Sequence, residues 1–293
     1  MQAFWSHIAA ELEQATGERF DPGRARSAGG GCISQGYRLP GTHSSVFVKL
    51  NRASDYDMFA AEAEGLQAMA DTETIRVPRP LLWGSYGQHC YLAMEFIEMG
   101  GRADPARLGE QLAAMHRHTA GRFGWHRDNT IGSTHQPNPW TDAWVAFWQQ
   151  QRLGFQLDLA KRNGYGGSLQ RTGEHLQERL PALFDSYQPE PSLLHGDLWG
   201  GNCSGDHDGN PVIYDPAVYY GDREADLAMT ELFGGFGSRF FDAYHQAWPI
   251  DPGYRVRKNL YNAYHLLNHL NLFGGGYAGQ AEGAMQRVLA ELK

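Results

Sequence analysis

Apolar and polar positions follow two rhythms along the chain, one strand-like near the start and one helical over most of the rest. The first residues, MQAFWSHIAAELEQ, read as a short amphipathic helix. Residues 24–50 lack helical periodicity. There the glycines Gly29, Gly30 and Gly31 precede Tyr37-Arg38-Leu39, a Pro40-Gly41 turn and the β-branched, alternating run Ser45–Leu50. This predicts three short antiparallel strands with turns at the glycines. Residues 55–71 return to helical spacing, with Phe59, Ala63, Leu66 and Met69-Ala70 on one stripe, and Val77-Pro78-Arg79-Pro80 closes that helix. Strand-like runs follow near 81–84 and 89–96. The first 98 residues thus read as a small β-rich lobe with one helix. Met99-Gly100-Gly101 reads as a hinge.

From residue 104 onward helical patterns dominate, over 105–119, 139–162, 168–184, 225–233, 237–247 and 254–273. Residues 193–221 are the exception, with two short apolar runs around turn residues that suggest a small β-hairpin insert. The fold class expected is α+β and bilobal, with lobes at 1–98 and 99–293. Neither an internal repeat nor a low-complexity tract interrupts it.

Composition narrows the function classes. The 293 residues carry 25 Lys+Arg against 33 Asp+Glu, a net charge of −8, which disfavours nucleic acid and anionic membranes as partners. No apolar run reaches the roughly 18 residues of a membrane helix, and the N-terminus lacks the basic start and apolar block of a signal peptide. Cys32, Cys90 and Cys203 are too few and scattered for a disulfide framework or a zinc site. A cytoplasmic protein with reduced thiols is the expectation. Lysine occurs only at Lys49, Lys161, Lys258 and Lys293, so a lysine on a strand draws notice.

The candidate chemistry centres on Leu193-Leu194-His195-Gly196-Asp197-Leu198-Trp199-Gly200-Gly201-Asn202. Asp197 and Asn202 lie five positions apart in a glycine-rich loop after an apolar strand. Thirteen positions on, Val212-Ile213-Tyr214-Asp215-Pro216 is a second apolar strand ending in an aspartate. Magnesium-dependent phosphoryl transfer needs these groups. Asp197 can accept a hydrogen bond from an attacking hydroxyl, and Asn202 and Asp215 can give oxygen ligands to Mg²⁺ on nucleotide phosphates. A single aspartate would be read as a loop cap; the spaced set, with Asp222-Arg223-Glu224 and Asp226 after it, points to catalysis.

These residues resemble the catalytic core of the aminoglycoside phosphotransferase and choline kinase superfamily, which is protein-kinase-like. The tighter resemblance is to the fructosamine kinase (ketosamine kinase) family. It rests on HGDLWGGN at 195–202 and YDPAVYYGDREADLAMTELFGGF at 214–236. AGGGCIS at 28–34, FGWHRDNTIGSTHQPN at 123–138 and LLNHLNLFGGGY at 266–277 add to it. The resemblance implies a kinase-like fold, ATP and Mg²⁺ as cofactors, and phosphorylation of a ketoamine at O3, in deglycation or metabolite repair.

It also implies a nucleotide clamp. Gly29, Gly30 and Gly31 would let the backbone approach phosphates, although the run is neither a Walker A loop nor a strict GxGxxG and also fits an ordinary turn. Lys49 would pair with the α/β-phosphates and with Glu62, thirteen residues on. Glu64 is two positions round the helix, about 200° away, and cannot face the same lysine. Glu95, Phe96 and Ile97 would form the strand whose backbone binds adenine. His195 and Asp226 match residues that brace a kinase catalytic loop.

On the substrate side, Trp199 lies between the expected base and the metal ligand, where an indole suits a sugar face or an aminated chain. Asn129, Gln136 and Asn138 are candidate pocket residues, each equally readable as a satisfied loop amide. His265 and His269 at i, i+4 lack a third ligand for a metal and read as structural or pocket-lining. Cys32, next to the glycine run, is a candidate redox site, which leaves the quaternary state open between a monomer and a redox-sensitive homodimer. The rival functions are an aminoglycoside- or choline-type phosphotransferase and a non-catalytic nucleotide-binding regulator. Retention of Lys49, Asp197, Asn202 and Asp215 speaks against the regulator. The absence of DFG and APE marks after Asp215 speaks against a protein kinase.

Overall fold

The computed structural model describes residues 1–30 and 34–292; Gly31 and Cys32, and with them the redox expectation, lie outside the described residues. Chain contacts divide the protein into two units. One is Met1–Ala103 with Ser204–Asp215, and the other is Asp104–Cys203 with Pro216–Lys293.

The first unit begins with helix α1 (Gln2–Thr16), which ends at Gly17 in the left-handed region. Its Phe4, Trp5, Ile8, Ala9 and Leu12 recur at helical spacing and are buried. They pack on an antiparallel five-stranded sheet, ordered β1-β2-β3-β5-β4. The strands are β1 (Arg26–Gly30), β2 (Gln35–Pro40), β3 (Ser45–Arg52), β4 (Pro80–Tyr86) and β5 (His89–Glu95). Along β3 the buried Val46, Val48 and Leu50 alternate with the residues between them and join the α1 core. Period two therefore puts Lys49 on the opposite face. Helix α2 (Tyr56–Ala70) buries Phe59, Ala63, Leu66 and Met69, the stripe expected of it, and packs against β4 and β5. Residues 204–215 belong to this unit by contact. Gly205 O accepts from Gly100 N (3.0 Å), and Ile213 N donates to Arg76 O (3.1 Å). Arg76 also reaches Glu95 (2.8 Å) and Asp206 (3.4 Å).

The second unit is mostly helical. It contains α3 (Pro105–His116), a hairpin of β6 (Asn129–Ile131) and β7 (Thr134–Gln136), α4 (Trp144–Phe147), α5 (Phe155–Arg162), α6 (Ser168–Arg179), α7 (Glu224–Leu232), α8 (Ser238–Ala247), α9 (Tyr254–Phe273) and α10 (Ala278–Glu291). Asp104 caps α3, accepting from Ala106 N and Arg107 N, with proline at the first helical position. The helix expected over 139–162 starts at Trp144 and widens to a π-helix over Trp148–Gly154. The single hairpin expected over 193–221 is two pairings. Ser192–Leu194 pairs with Tyr219–Gly221, and Cys203–Gly205 with Pro211–Ile213. The β6–β7 hairpin and α10 were not expected. The stripe of α10 is built from Ala281, Ala284, Met285 and Val288, whose small members give little hydrophobic contrast in sequence. No helix among the described residues is long and apolar enough to cross a membrane.

Candidate active site

In the first unit the candidate clamp residues converge on one ammonium. Lys49 Nζ lies 2.5 Å from Glu62 Oε1 and 2.6 Å from Asp215 Oδ1. Glu62, and not its neighbour Glu64, makes this contact from α2. The Lys49 and Glu62 side chains are nearly buried, and Asp215 is 40% exposed. Burial alone would lower the Lys49 pKa. The Glu62 and Asp215 carboxylates more than offset it and hold the ammonium above its ordinary range. Burial pushes Glu62 upward against the pull of Lys49. With both oxygens at contact distance, the geometry is that of an ionised cluster. Asp215 has φ 58, a left-handed conformation that costs a non-glycine residue about 1–3 kcal/mol. The strand ending at Ile213, anchored on Arg76, holds it there.

In the second unit the buried strand Ser192–Leu194 delivers the loop carrying Asp197. Asp226 on α7 latches this loop. Its Oδ2 accepts from His195 N (2.7 Å) and its Oδ1 from Gly196 N (2.8 Å). Gly196 has φ 82, and a Cβ there would strike the Ala217 carbonyl, so only glycine fits. Asn202 Nδ2 donates to Asp197 O (2.8 Å) and Asp197 Oδ2 (3.2 Å), which fixes the carboxylate within the loop. His195 accepts through Nδ1 from Asp197 N (3.2 Å), a bracing contact.

His116, the last residue of α3, has no motif around it in the sequence. It is fully buried, with Nε2 3.1 Å from Asp226 Oδ2 and Nδ1 2.8 Å from Tyr244 Oη. Burial holds its pKa below the usual imidazole range, so the neutral ring donates through Nε2 and accepts from the tyrosine. Burial alone would raise the Asp226 carboxyl, yet His116 and the loop amides hold it below the ordinary range. Asp226→Asn would replace two charge-assisted bonds to backbone N–H groups, each worth about 1.5–3 kcal/mol. We expect a lower Tm together with a lower kcat; a loss of kcat with Tm unchanged would refute the latch.

Asn129, Gln136 and Asn138 are buried, and their amides are spent inside the protein. Asn129 Nδ2 donates to Val218 O (2.7 Å), and Gln136 Nε2 to Asn129 Oδ1 (2.8 Å) and Ala217 O (3.2 Å). Asn138 Nδ2 donates to Asn129 Oδ1 (2.9 Å), and its Oδ1 accepts from Arg152 Nη2 (2.6 Å). The three stitch β6–β7 to the chain that follows Asp215 and Pro216. Arg152, also not foreseen, is fully buried in the π-helix between Tyr219 (4.1 Å) and Phe147 (4.5 Å).

Trp199 is 37% exposed, and its ring lies over Gly201, where a Cβ would collide with the indole. Gly29 has φ 87 in β1. Glu95 pairs with Arg76, Phe96 stacks under Arg38 (4.5 Å), and Ile97 is buried. His265 is buried, which pulls its pKa to about 3, and His269 Nδ1 bonds the His265 carbonyl at 2.8 Å. Among the described residues no group of three or more His, Cys, Asp or Glu side chains is placed to hold a metal. Cys90 and Cys203 are free thiols that burial raises to about 11 and about 12, so they stay protonated.

The sequence model of the family described as fructosamine kinase matches residues 4–291. A probable ketoamine kinase of Synechocystis is 51% identical over 288 residues, covering 97% of each chain. A chloroplastic protein-ribulosamine 3-kinase of Arabidopsis thaliana is 46% identical, covering 91% of this chain and 83% of its own. A crystal structure from Haemophilus somnus, described as a candidate fructosamine-3-kinase, superposes with a TM-score of 0.87 at 28% identity, over 97% of each chain.

Proposed function

Because the chain belongs to the fructosamine kinase family, we propose that it transfers the γ-phosphate of ATP to O3 of a sugar-derived ketoamine, in deglycation or metabolite repair. The observation that carries this reading is the loop in which Asn202 ties both the carbonyl and the carboxylate of Asp197. An aspartate held that way presents an acceptor of fixed direction to a hydroxyl. It need not be a strong base, since an ordinary aspartate pKa is near 3.9. In a loose phosphoryl-transfer transition state the hydroxyl loses its proton late, and orientation supplies most of the rate.

The other roles follow from the same chemistry. Lys49, held charged by Glu62 and Asp215, is the cation for the nucleotide phosphates, and the backbone at Glu95–Ile97 takes the adenine. Gly29 and Gly30, at the end of β1, are the described glycines that would let the backbone approach the phosphates. Asn202 and Asp215 suit Mg²⁺. Asn202 donates through Nδ2, so its amide oxygen would be the atom it offers the ion, and Asp215 would offer a carboxylate oxygen. Two hard oxygen donors suit an ion that completes its shell with phosphates and water. When bound, Mg²⁺ neutralises charge on the phosphoryl oxygens. His195 and Asp226 brace the loop, and Trp199 meets the sugar adduct. Asn129, Gln136 and Asn138 hold the wall behind the segment after Asp215.

The relatives' names supply the acceptor class, ketoamine and ribulosamine. The test is Mg²⁺-dependent ADP release with the ribulose, fructose and erythrulose adducts of lysine beside kanamycin and choline. Turnover on a ketoamine is expected; turnover only on kanamycin or choline would overturn the reading.

A further inference from the structure

Arg152 is a fully buried cation in the π-helix, and the phosphoryl-transfer roles assigned above leave it unused. Its Nη1 donates to Pro137 O (2.7 Å) and Gln151 O (3.1 Å), and its Nη2 to Asn138 Oδ1 (2.6 Å). All three acceptors are neutral, and among the described residues no carboxylate pairs with the guanidinium. Burying a cation in this way is costly. An apolar side chain of similar volume often serves stability as well as a buried charge. Packing alone therefore gives no reason for an arginine here.

Its effect on the residues around it is directional. A guanidinium carries donors only, so the Asn138 amide turns its oxygen toward Arg152 and its Nδ2 away. That Nδ2 donates to Asn129 Oδ1 (2.9 Å). The Asn129 oxygen is thereby committed, and it also accepts from Gln136 Nε2 (2.8 Å). Asn129 Nδ2 is left to face Val218 O (2.7 Å), and Gln136 Nε2 reaches Ala217 O (3.2 Å). Tyr264 Oη donates to Gln136 Oε1 (2.6 Å) and closes the series. Each amide thus takes its orientation from the one group that cannot reverse. In a buried site, turning one amide over would set oxygen against oxygen. The series ends at the Asp197 loop. Ala217 N donates to His195 O (2.8 Å), and the Ala217 carbonyl packs against Gly196 so closely that no Cβ fits there.

We propose that Arg152 is a positioning residue for phosphoryl transfer, which through Asn138, Asn129 and Gln136 fixes the Ala217 and Val218 carbonyls and so holds the Asp197 loop. This rests on the phosphoryl-transfer reading of Asp197 and deepens it. Asp226 grips the loop by the N–H groups of His195 and Gly196, and Ala217 grips it by the His195 carbonyl. Held at neighbouring peptide groups, the loop has little freedom to rotate, and the carboxylate that follows keeps its direction.

Asn138→Asp tests the direction apart from the packing. The carboxylate keeps one oxygen toward Arg152 and gives it a counter-charge, but sets the other against Asn129 Oδ1. Asn129 must then turn over, and its own oxygen meets the Val218 carbonyl. Arg152→Met removes the cation, whereas Arg152→Lys keeps one with donors only. The readout is kcat for the ribulose adduct of lysine per folded molecule, counted by near-ultraviolet circular dichroism. Asn138→Asp and Arg152→Met should each lower it by about ten- to a hundredfold, the scale on which a small misplacement of a reacting group acts. KM for ATP should stay near its wild-type value. Arg152→Lys should recover most of the loss. Amide hydrogen exchange at Ala217, His195, Gly196 and Asp197 should quicken in the first two variants and not in the third, with no acceptor present. Unchanged kcat per folded molecule in Asn138→Asp, equal activity of the Met and Lys variants, or unchanged exchange in the first two variants overturns the brace alone. A wild type that turns over no ketoamine overturns the reading beneath it, and the exchange arm still decides the brace.

Discussion

Asp197→Asn is expected to lower kcat by about a thousandfold, within the range a positioned proton acceptor contributes, while ATP binding and Tm stay near their wild-type values. The substitution keeps the shape of the side chain. Asn202 Nδ2 donates to Asp197 Oδ2 at 3.2 Å, so an asparagine at 197 would turn its carbonyl toward that donor. Its NH₂ would then occupy the position of the second carboxylate oxygen. A donor would stand where the attacking hydroxyl needs an acceptor, and the negative charge that orients that hydroxyl would be gone. The latch is untouched, because Asp226 grips the loop through backbone N–H groups of His195 and Gly196 and not through the Asp197 side chain. This pattern separates Asp197 from Asp226, whose replacement should lower both Tm and kcat. Steady-state kinetics with a thermal melt on the same protein check it. Retention of more than a tenth of the wild-type kcat would remove Asp197 from the proton-accepting role.

What the sequence made legible was local. Asp197 and Asn202 share one turn, so their spacing alone fixes that they can touch. Lys49 was visible because lysine is scarce and this one ends an apolar strand, and Glu62 because the family resemblance offers it as the partner while helical spacing keeps Glu64 off the same face. What escaped notice was joined over long stretches of chain. His116 and Asp226 are 110 residues apart, and nothing in either neighbourhood announces the other. Arg152 sits in a π-turn that no 3.6-residue pattern predicts, and its aromatic partner Tyr219 comes from a strand far along the chain. The three-residue strands of β6 and β7 are shorter than any window in which alternation can be recognised. Asn129, Gln136 and Asn138 were legible as a polar group but not as an inward-facing one, since an amide's direction depends on carbonyls elsewhere, here those of Ala217 and Val218. The grouping of residues 204–215 with the first unit is likewise a product of contacts, among them Arg76 with Asp206 and with the Ile213 amide.

Lys49→Met should cost both activity and stability, and the stability cost should depend on pH. The wild-type cluster sets one buried ammonium against two carboxylates. Methionine fills most of the volume but leaves Glu62 and Asp215 facing each other without a counter-charge. Removing one partner of a buried ion pair costs about 3–5 kcal/mol. The lower end applies here, because Asp215 is 40% exposed and its charge is partly screened by water. Without the ammonium, burial and the neighbouring Asp215 charge both push the Glu62 pKa further above its unfolded value. An acid shifted upward on folding contributes stability that is fully present below its unfolded pKa and lost as pH rises through the folded one. The variant should therefore melt well below the wild type at pH 8, and the gap should narrow at pH 5. Glu62→Gln added to Lys49→Met should narrow it at pH 8 as well. Activity behaves otherwise: acid restores no cation for the nucleotide phosphates, so kcat/KM for ATP should stay about a hundredfold or more below wild type at both pH values, the scale on which preorganised electrostatic groups act. Melts of the three proteins at the two pH values decide the matter. A gap that does not change with pH would mean the carboxylates are not held as charges by Lys49, and the ionised cluster would have to be abandoned.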